Sequence, residues 1–139
     1  MGWYCTVALE PEVRVFKGRK FHKFCQAEKI SDNLLLDAVR RANRGLIDAD
    51  LGGGLIKQRV ARPGQGRSTG FRTVVIYRSG TLAVFVAGFA KSGQDNLRIN
   101  ELKILHRTTR KVLKWNDQDI EAMLTSKTWE EIETDGEGL

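Results

Sequence analysis

The 139-residue chain is poor in the residues that staple or ligate: it has two cysteines, Cys5 and Cys25, and two histidines, His22 and His106. Two thiols close at most one bridge, which excludes a disulfide scaffold and leaves free thiols in a reducing cytoplasm as the expectation. The histidines stand in no ligand-like spacing with the cysteines, so neither a structural zinc site nor any other metal or cofactor is expected. No apolar run approaches the ~20 residues of a membrane span. Residues 1–12 lack a basic leader and a long apolar core, so a secretory signal is not expected. Hydrophobic content of 41% and charged content of 29% are those of one folded domain rather than a disordered chain.

The more telling scarcity is of acid. Between Leu51 and Gln94 there is no Asp and no Glu, while Lys57, Arg59, Arg62, Arg67, Arg72, Arg78 and Lys91 all fall there. The rest of the chain holds 16 basic and 17 acidic residues, so the net charge of +6 resides in this middle third. A segment stripped of carboxylates suits an anion, and the commonest large anion is nucleic acid. The opposite bias appears at the end, where Glu130, Glu131, Glu133, Asp135 and Glu137 form an acidic stretch.

Periodicity gives the layout. Val13 and Val15 read as a short strand; Phe21, Phe24, Cys25 and Glu28 keep a helical spacing. Ser31 is placed to cap a second helix, with Leu34, Leu35, Ala38, Val39 and Ala42 on one face and Gly45 at its end. Gly52-Gly53-Gly54 marks a tight turn. Strands are expected over 55–61, 71–78 and 82–90, the last two joined by a hairpin at Ser79-Gly80. A helix from about Asn100 points Leu102, Leu105, Thr109, Val112 and Leu113 inward, and Asn116 or Asp117 caps a last helix through Leu124. The tail from Thr128 reads as frayed. The fold class is α+β, a layer of sheet and helices.

Familiar catalytic motifs fail on spacing. A phosphate loop needs a glycine five residues before Gly66, where Ala61 stands, and Arg67 replaces its lysine. Gly64, Gly66 and Gly70 are spaced one residue too wide for a dinucleotide fingerprint. The basic segment has no carboxylates to hold Mg²⁺, so a metal nuclease is not expected. Strand geometry offers more. Residues two apart share a face, so Lys57 and Arg59 point the same way, as do Phe89 and Lys91. If the three strands are neighbours, Lys57, Arg59, Arg72 and Lys91 ring one phosphate, with Arg62 and Arg67 above. Unrelieved like charge side by side is unfavourable unless an anion lies between. The bland alternative is that these side chains only solubilise an exposed sheet face.

The ordered set Leu51-Gly52-Gly53-Gly54, Lys57-Gln58-Arg59-Val60-Ala61-Arg62-Pro63-Gly64-Gln65-Gly66-Arg67-Ser68, Gly70-Phe71-Arg72 and Gly88-Phe89-Ala90-Lys91 resembles the RelE/HigB toxins of type II toxin–antitoxin systems. The likeness runs from about Val13 to about Leu113. It implies a RelE-like small antiparallel β-sheet flanked by an N-terminal helical hairpin and C-terminal helices. It also implies a ribosome-dependent, metal-independent mRNA endoribonuclease that inhibits translation and arrests growth. Lys57, Arg59, Arg72 and Lys91 match the family's catalytic cations; Arg62, Arg67, Arg78 and Phe89 are expected to bind RNA. The implied partners are a cognate antitoxin, typically a HigA-like helix-turn-helix protein that links the complex to operator DNA, and the ribosome with its mRNA; no membrane is involved. The implied division is an N-terminal extension (1–12), a toxin domain (13–127) and an acidic flexible tail (128–139). One departure is Leu97, near where some members carry a base-stacking Tyr. A ParE-like gyrase poison and a non-catalytic RNA-binding module are the rival readings.

Overall fold

In the computed structural model, which describes residues 13–61, 70–90 and 98–134, ten elements follow one another. They are β1 (Arg14–Gly18), α1 (Arg19–Glu28), α2 (Asp32–Asn43), β2 (Ala49–Gly52), β3 (Leu55–Val60), β4 (Phe71–Arg78), β5 (Leu82–Ala90), α3 (Ile99–Val112), α4 (Asp117–Thr125) and β6 (Trp129–Ile132). The expected extension 1–12, and with it Arg62, Arg67, Lys91 and Leu97, lies outside the described residues.

The strands make one six-stranded sheet in the order β2-β3-β4-β5-β1-β6. It is mixed, not antiparallel as expected: β1 runs parallel to β5, with Val15 opposite Ala83. The helices after β1 carry the chain to the far edge, and the hairpins β2–β5 then walk back until β5 meets β1 in the same direction. Ser79-Gly80 makes the expected turn, closed by a 3.0 Å bond from the Thr81 N–H to the Arg78 carbonyl.

Alternation along the strands divides the core into two layers. Ile56, Val60, Phe71, Val75 and Phe85 face α1 and α2, where they meet Phe21, Cys25, Leu35 and Val39. Leu55, Val74, Ile76, Leu82 and Val84 face the other way, onto Val112 of α3 and Ile120 of α4. Burial raises the Cys25 thiol to a pKa of about 11, against a weaker lowering by Lys17. Ser31 does occupy the N-cap of α2, but its side chain makes no capping hydrogen bond. Asn116 caps α4 through a 3.0 Å bond accepted from the Asp119 N–H.

The expected flexible tail begins instead with a strand. β6 pairs antiparallel with β1, Gly18 opposite Trp129 and Val15 opposite Ile132. Trp129 and Ile132 are buried on opposite faces of the sheet. Arg14 holds both Glu131 oxygens at 2.9 Å, and those hydrogen bonds raise its pKa further. Hydrophobic burial on two faces and a two-pronged ion pair explain the order here. This acidic strand lies at the opposite edge of the sheet from β2 and β3.

Candidate functional site

The strand register supplies the site. Arg59 of β3 lies directly opposite Arg72 of β4, and Arg72 lies directly opposite Phe89 of β5. Directly opposed residues project from the same face with Cβ atoms ~4.5–5.5 Å apart. Lys57, two residues before Arg59 and opposite Val74, shares that face. Three of the four expected catalytic cations are therefore brought together on the face covered by α3. The last paired row, Val60–Phe71–Ala90, lies immediately beyond.

Two guanidinium groups directly opposed across a ladder repel one another, an arrangement that costs stability. Arg59 is exposed, whereas Arg72 and Lys57 are half-buried. The Arg72 Nη1 atom is buried, yet finds no hydrogen-bond acceptor among the described residues. A buried guanidinium donor left unmatched costs about 1–3 kcal/mol or more. The row is thus poor packing but a competent cradle for an anion, since guanidinium groups fork onto phosphate oxygens and stay charged. Phe89, half-buried, forms the apolar end of the row and packs toward the α3 side of the core.

The backbone under Arg59 is held by a device that sequence reasoning missed. β2 pairs with β3 only as far as Lys57, so the outward backbone groups of Arg59 have no strand partner. The Asp48 carboxylate accepts the Arg59 N–H at 2.7 Å, and the Arg41 side chain donates to the Arg59 carbonyl. Arg41 and Asp48 also meet each other at 3.4 Å, and Asp37 flanks Arg41 at 3.3 Å. Next to them, buried Gln58 accepts from the Asp48 N–H at 2.7 Å and donates to the Ala38 and Leu46 carbonyls at 3.0 and 3.2 Å. The signal was available: Arg41 is a charge on the buried face of α2.

Arg78 does not join the site. Although it shares the Arg72 face, it lies six residues along β4, ~20 Å at strand rise. Its Nη1 donates to the Leu113 carbonyl at 2.7 Å, satisfying the C-terminal end of α3. Arg78, expected to bind RNA, is thus set apart from the Arg59–Arg72–Phe89 row, since face-sharing alone ignores distance along the strand.

Beside Phe89, β5 outruns β1, whose pairing stops at Phe85. A cleft of about 520 Å³ opens on this free edge, floored by Val86–Phe89 and walled by Phe21 and Phe24 of α1 and Ile104 and Leu105 of α3. Gly88 is required there: a Cβ would sit 2.6 Å from the Phe24 ring. Among the described residues no three His, Cys, Asp or Glu side chains gather as a metal-binding group.

Fold and site together define a small α+β protein with a cation row built across neighbouring strands of its sheet. Residues 13–132 match the family model of the RelE toxin of the RelE/RelB toxin–antitoxin system. The match covers most of the chain, which therefore belongs to the RelE toxin family and is a toxin of a toxin–antitoxin system, paired with an antitoxin. No curated protein matches it significantly. Among the described residues no helix is long and apolar enough to cross a membrane.

Proposed function

We propose that the chain is an endoribonuclease that cuts mRNA in the ribosome and so stops translation. The observation that carries this reading is the Arg59–Arg72–Phe89 row, which sets two opposed guanidinium groups and an aromatic edge on one sheet face. In the reaction the RNA 2′-oxygen attacks the adjacent phosphorus as its proton passes to a base. The 5′-oxygen leaves with a proton from an acid, giving a 2′,3′-cyclic phosphate and a 5′-hydroxyl. Arg59 and Arg72 neutralise the charge that builds on the phosphorane-like transition state. Lys57 or Lys91 serves as base or acid, since no histidine falls in the basic segment. Arg62, Arg67 and Phe89 hold the flanking RNA. No metal or cofactor takes part. Ribosomal positioning of the mRNA supplies the in-line geometry that a small open site does not. The antitoxin is a HigA-like helix-turn-helix protein that covers the basic face and carries the complex to its operator, and the toxin acts in the cytoplasm.

The test is Arg72→Ala. It should lower cleavage by about 10²–10³, the usual effect of removing one transition-state donor, and so abolish growth arrest, with antitoxin binding intact. RNA-end mapping after induction of the unsubstituted toxin should show mRNA cuts in step with codons. A DNA-damage response without such cuts would replace this reading with gyrase poisoning, and retained toxicity of Arg72→Ala would remove Arg72 from the site.

A further inference from the structure

The helix that covers the site face carries a second concentration of positive charge. Lys103, Arg107, Arg110, Lys111 and Lys114 are all exposed. Glu101 is the only carboxylate from Arg98 to Lys114, and it caps the start of α3 by accepting the Arg98 N–H at 3.2 Å. None of the five cations forms an ion pair with a described residue. At ~100° per residue Lys103, Arg107, Arg110 and Lys111 fall within an arc of roughly 100° on the helix, a ridge ~12 Å long that Lys114 extends in the turn after it.

Contacts along α3 fix where the ridge points. At mid-helix the two sides differ: Ile104 and Leu105 line the cleft beside Phe89, whereas His106 faces Gly53, whose Cβ would lie 3.9 Å away. At the C-terminal end Leu113 sits on the β2–β3 turn, 2.6 Å from where a Cβ on Gly54 would lie. The helix therefore runs from the Arg59–Arg72–Phe89 row toward the β2–β3 turn. Around the helix Lys103, Arg107 and Arg110 lie beyond His106 and point largely away from the sheet, whereas Lys111 falls within ~20° of Ile104, which with Glu101 takes the cleft flank. The nearby carboxylates are turned away. Asp48 binds Arg41 on the α2 side, and Asp50, opposite Ile56, faces that same layer.

From this ridge we infer that α3 docks on the phosphate backbone of an RNA duplex, such as a helix of structured RNA, while the sheet row handles the single strand to be cut; the inference rests on the ribonuclease reading above. The chemistry selects this occupant. Single-strand platforms stack bases on aromatic rings, and the ridge presents none, Trp115 being packed on Trp129 at 5.5 Å. Duplex RNA is read through its backbone and shape, for which a ridge of cations suffices. A membrane would need a continuous apolar face to enter; Leu102, Leu105 and Val112 are buried on the sheet, which leaves α3 only Ile99 and Ile104 exposed, one on each side of the ridge. Protein interfaces are depleted of Lys at their core.

The full chain should bind a fluorescein-labelled 16-base-pair RNA duplex in an anisotropy titration. Lys103→Gln/Arg107→Gln/Arg110→Gln/Lys114→Gln should weaken binding at least tenfold and reduce the salt slope by about three, as expected for lost phosphate contacts. The milder Arg110→Gln/Lys114→Gln should weaken it by an intermediate factor, with both variants melting like the parent. Arg72→Ala should bind the duplex normally. No duplex binding by the parent chain, or unchanged binding by the four-site variant, overturns the inference. So does a variant that keeps the duplex but loses the antitoxin or vesicles containing phosphatidylserine. If induction of the parent toxin gives a DNA-damage response without codon-phased mRNA cuts while the ridge variant loses the duplex, the ridge stands and the ribonuclease reading falls.

Discussion

Replacing Gly54 with Ala tests whether the triple-glycine turn exists to seat α3 or to hold a ligand. Gly54 has a φ of +93°, and an added Cβ would lie 2.6 Å from Leu113 Cδ1, 3.5 Å from Thr109 Cγ2 and 3.6 Å from the Tyr77 carbonyl. The left-handed backbone alone costs a side chain about 1–2 kcal/mol. Overpacking adds about 1–3 kcal/mol, toward the lower end because Leu113 is half-buried and can give way. The expected destabilisation is about 2–4 kcal/mol, a large part of a small domain's stability. Gly52 is the internal control: its φ is +90°, but nothing lies within 4 Å of its Cβ position. Gly52→Ala should cost only the backbone penalty of about 1–2 kcal/mol. Urea unfolding at constant m-value gives both numbers. Leu113→Ala in the Gly54→Ala chain should return about 1 kcal/mol of coupling, since the clash and its partner disappear together. Equal costs at Gly52 and Gly54, with no coupling to Leu113, would refute this seating of α3.

Arg41→Met removes the donor to the Arg59 carbonyl and the partner of Asp48, and should cost about 2–3 kcal/mol in thermal melts, below the value for a fully buried pair because Asp48 is 30% exposed. Asp48→Asn should cost less, because the amide oxygen still accepts the Arg59 N–H; equal losses would count against the clamp. The Cys25 pKa of about 11 in the folded chain exceeds its ordinary value of 9.0, so this thiol's contribution is complete below pH 9 and is lost as pH rises toward 11. Cys25→Ala should flatten that part of the stability–pH curve, and an unchanged slope would show that the thiol titrates freely. Deleting residues 129–139 strips Trp129 and Ile132 from both core layers, on the order of 5 kcal/mol by large-to-small precedent; a chain that still unfolds cooperatively with an unchanged midpoint would mean β6 contributes nothing.

How far the sequence could be read follows from how local each determinant is. The strands over 55–60, 71–78 and 82–90 were legible because β-branched runs, a two-residue turn and neighbouring hairpins all encode the same pairing. Face-sharing set Lys57 beside Arg59, and neighbouring strands brought Arg72 near them, but the direct Arg59–Arg72 opposition rests on a β3–β4 register that the glycine-rich connection does not encode. β6 was not. Trp129 and Ile132 serve opposite faces, so WEEI shows no one-sided alternation, and its partner β1 lies more than a hundred positions earlier in the chain. The parallel β1–β5 contact was hidden for the same reason, since no turn encodes it.

The α3 ridge was hidden by averaging. Counting charge outside the middle third sets its lysines and arginines against Asp117, Asp119, Glu121 and the acids of β6, and the sum looks neutral. In space three of those acids have partners of their own: Glu121 and Glu131 turn to Arg14 and Glu130 to His22, while the cations of α3 stay together on its exposed face. Charge at a surface acts within about a Debye length of ~10 Å, and Glu121, Glu130 and Glu131 are engaged by Arg14 and His22 rather than by the ridge. A modest net charge thus conceals a two-sided molecule, and the strand that anchors the acids to β1 keeps it so. β6 therefore does more than fill the core, because it holds Glu130 and Glu131 at the sheet edge opposite β2, paired to His22 and Arg14.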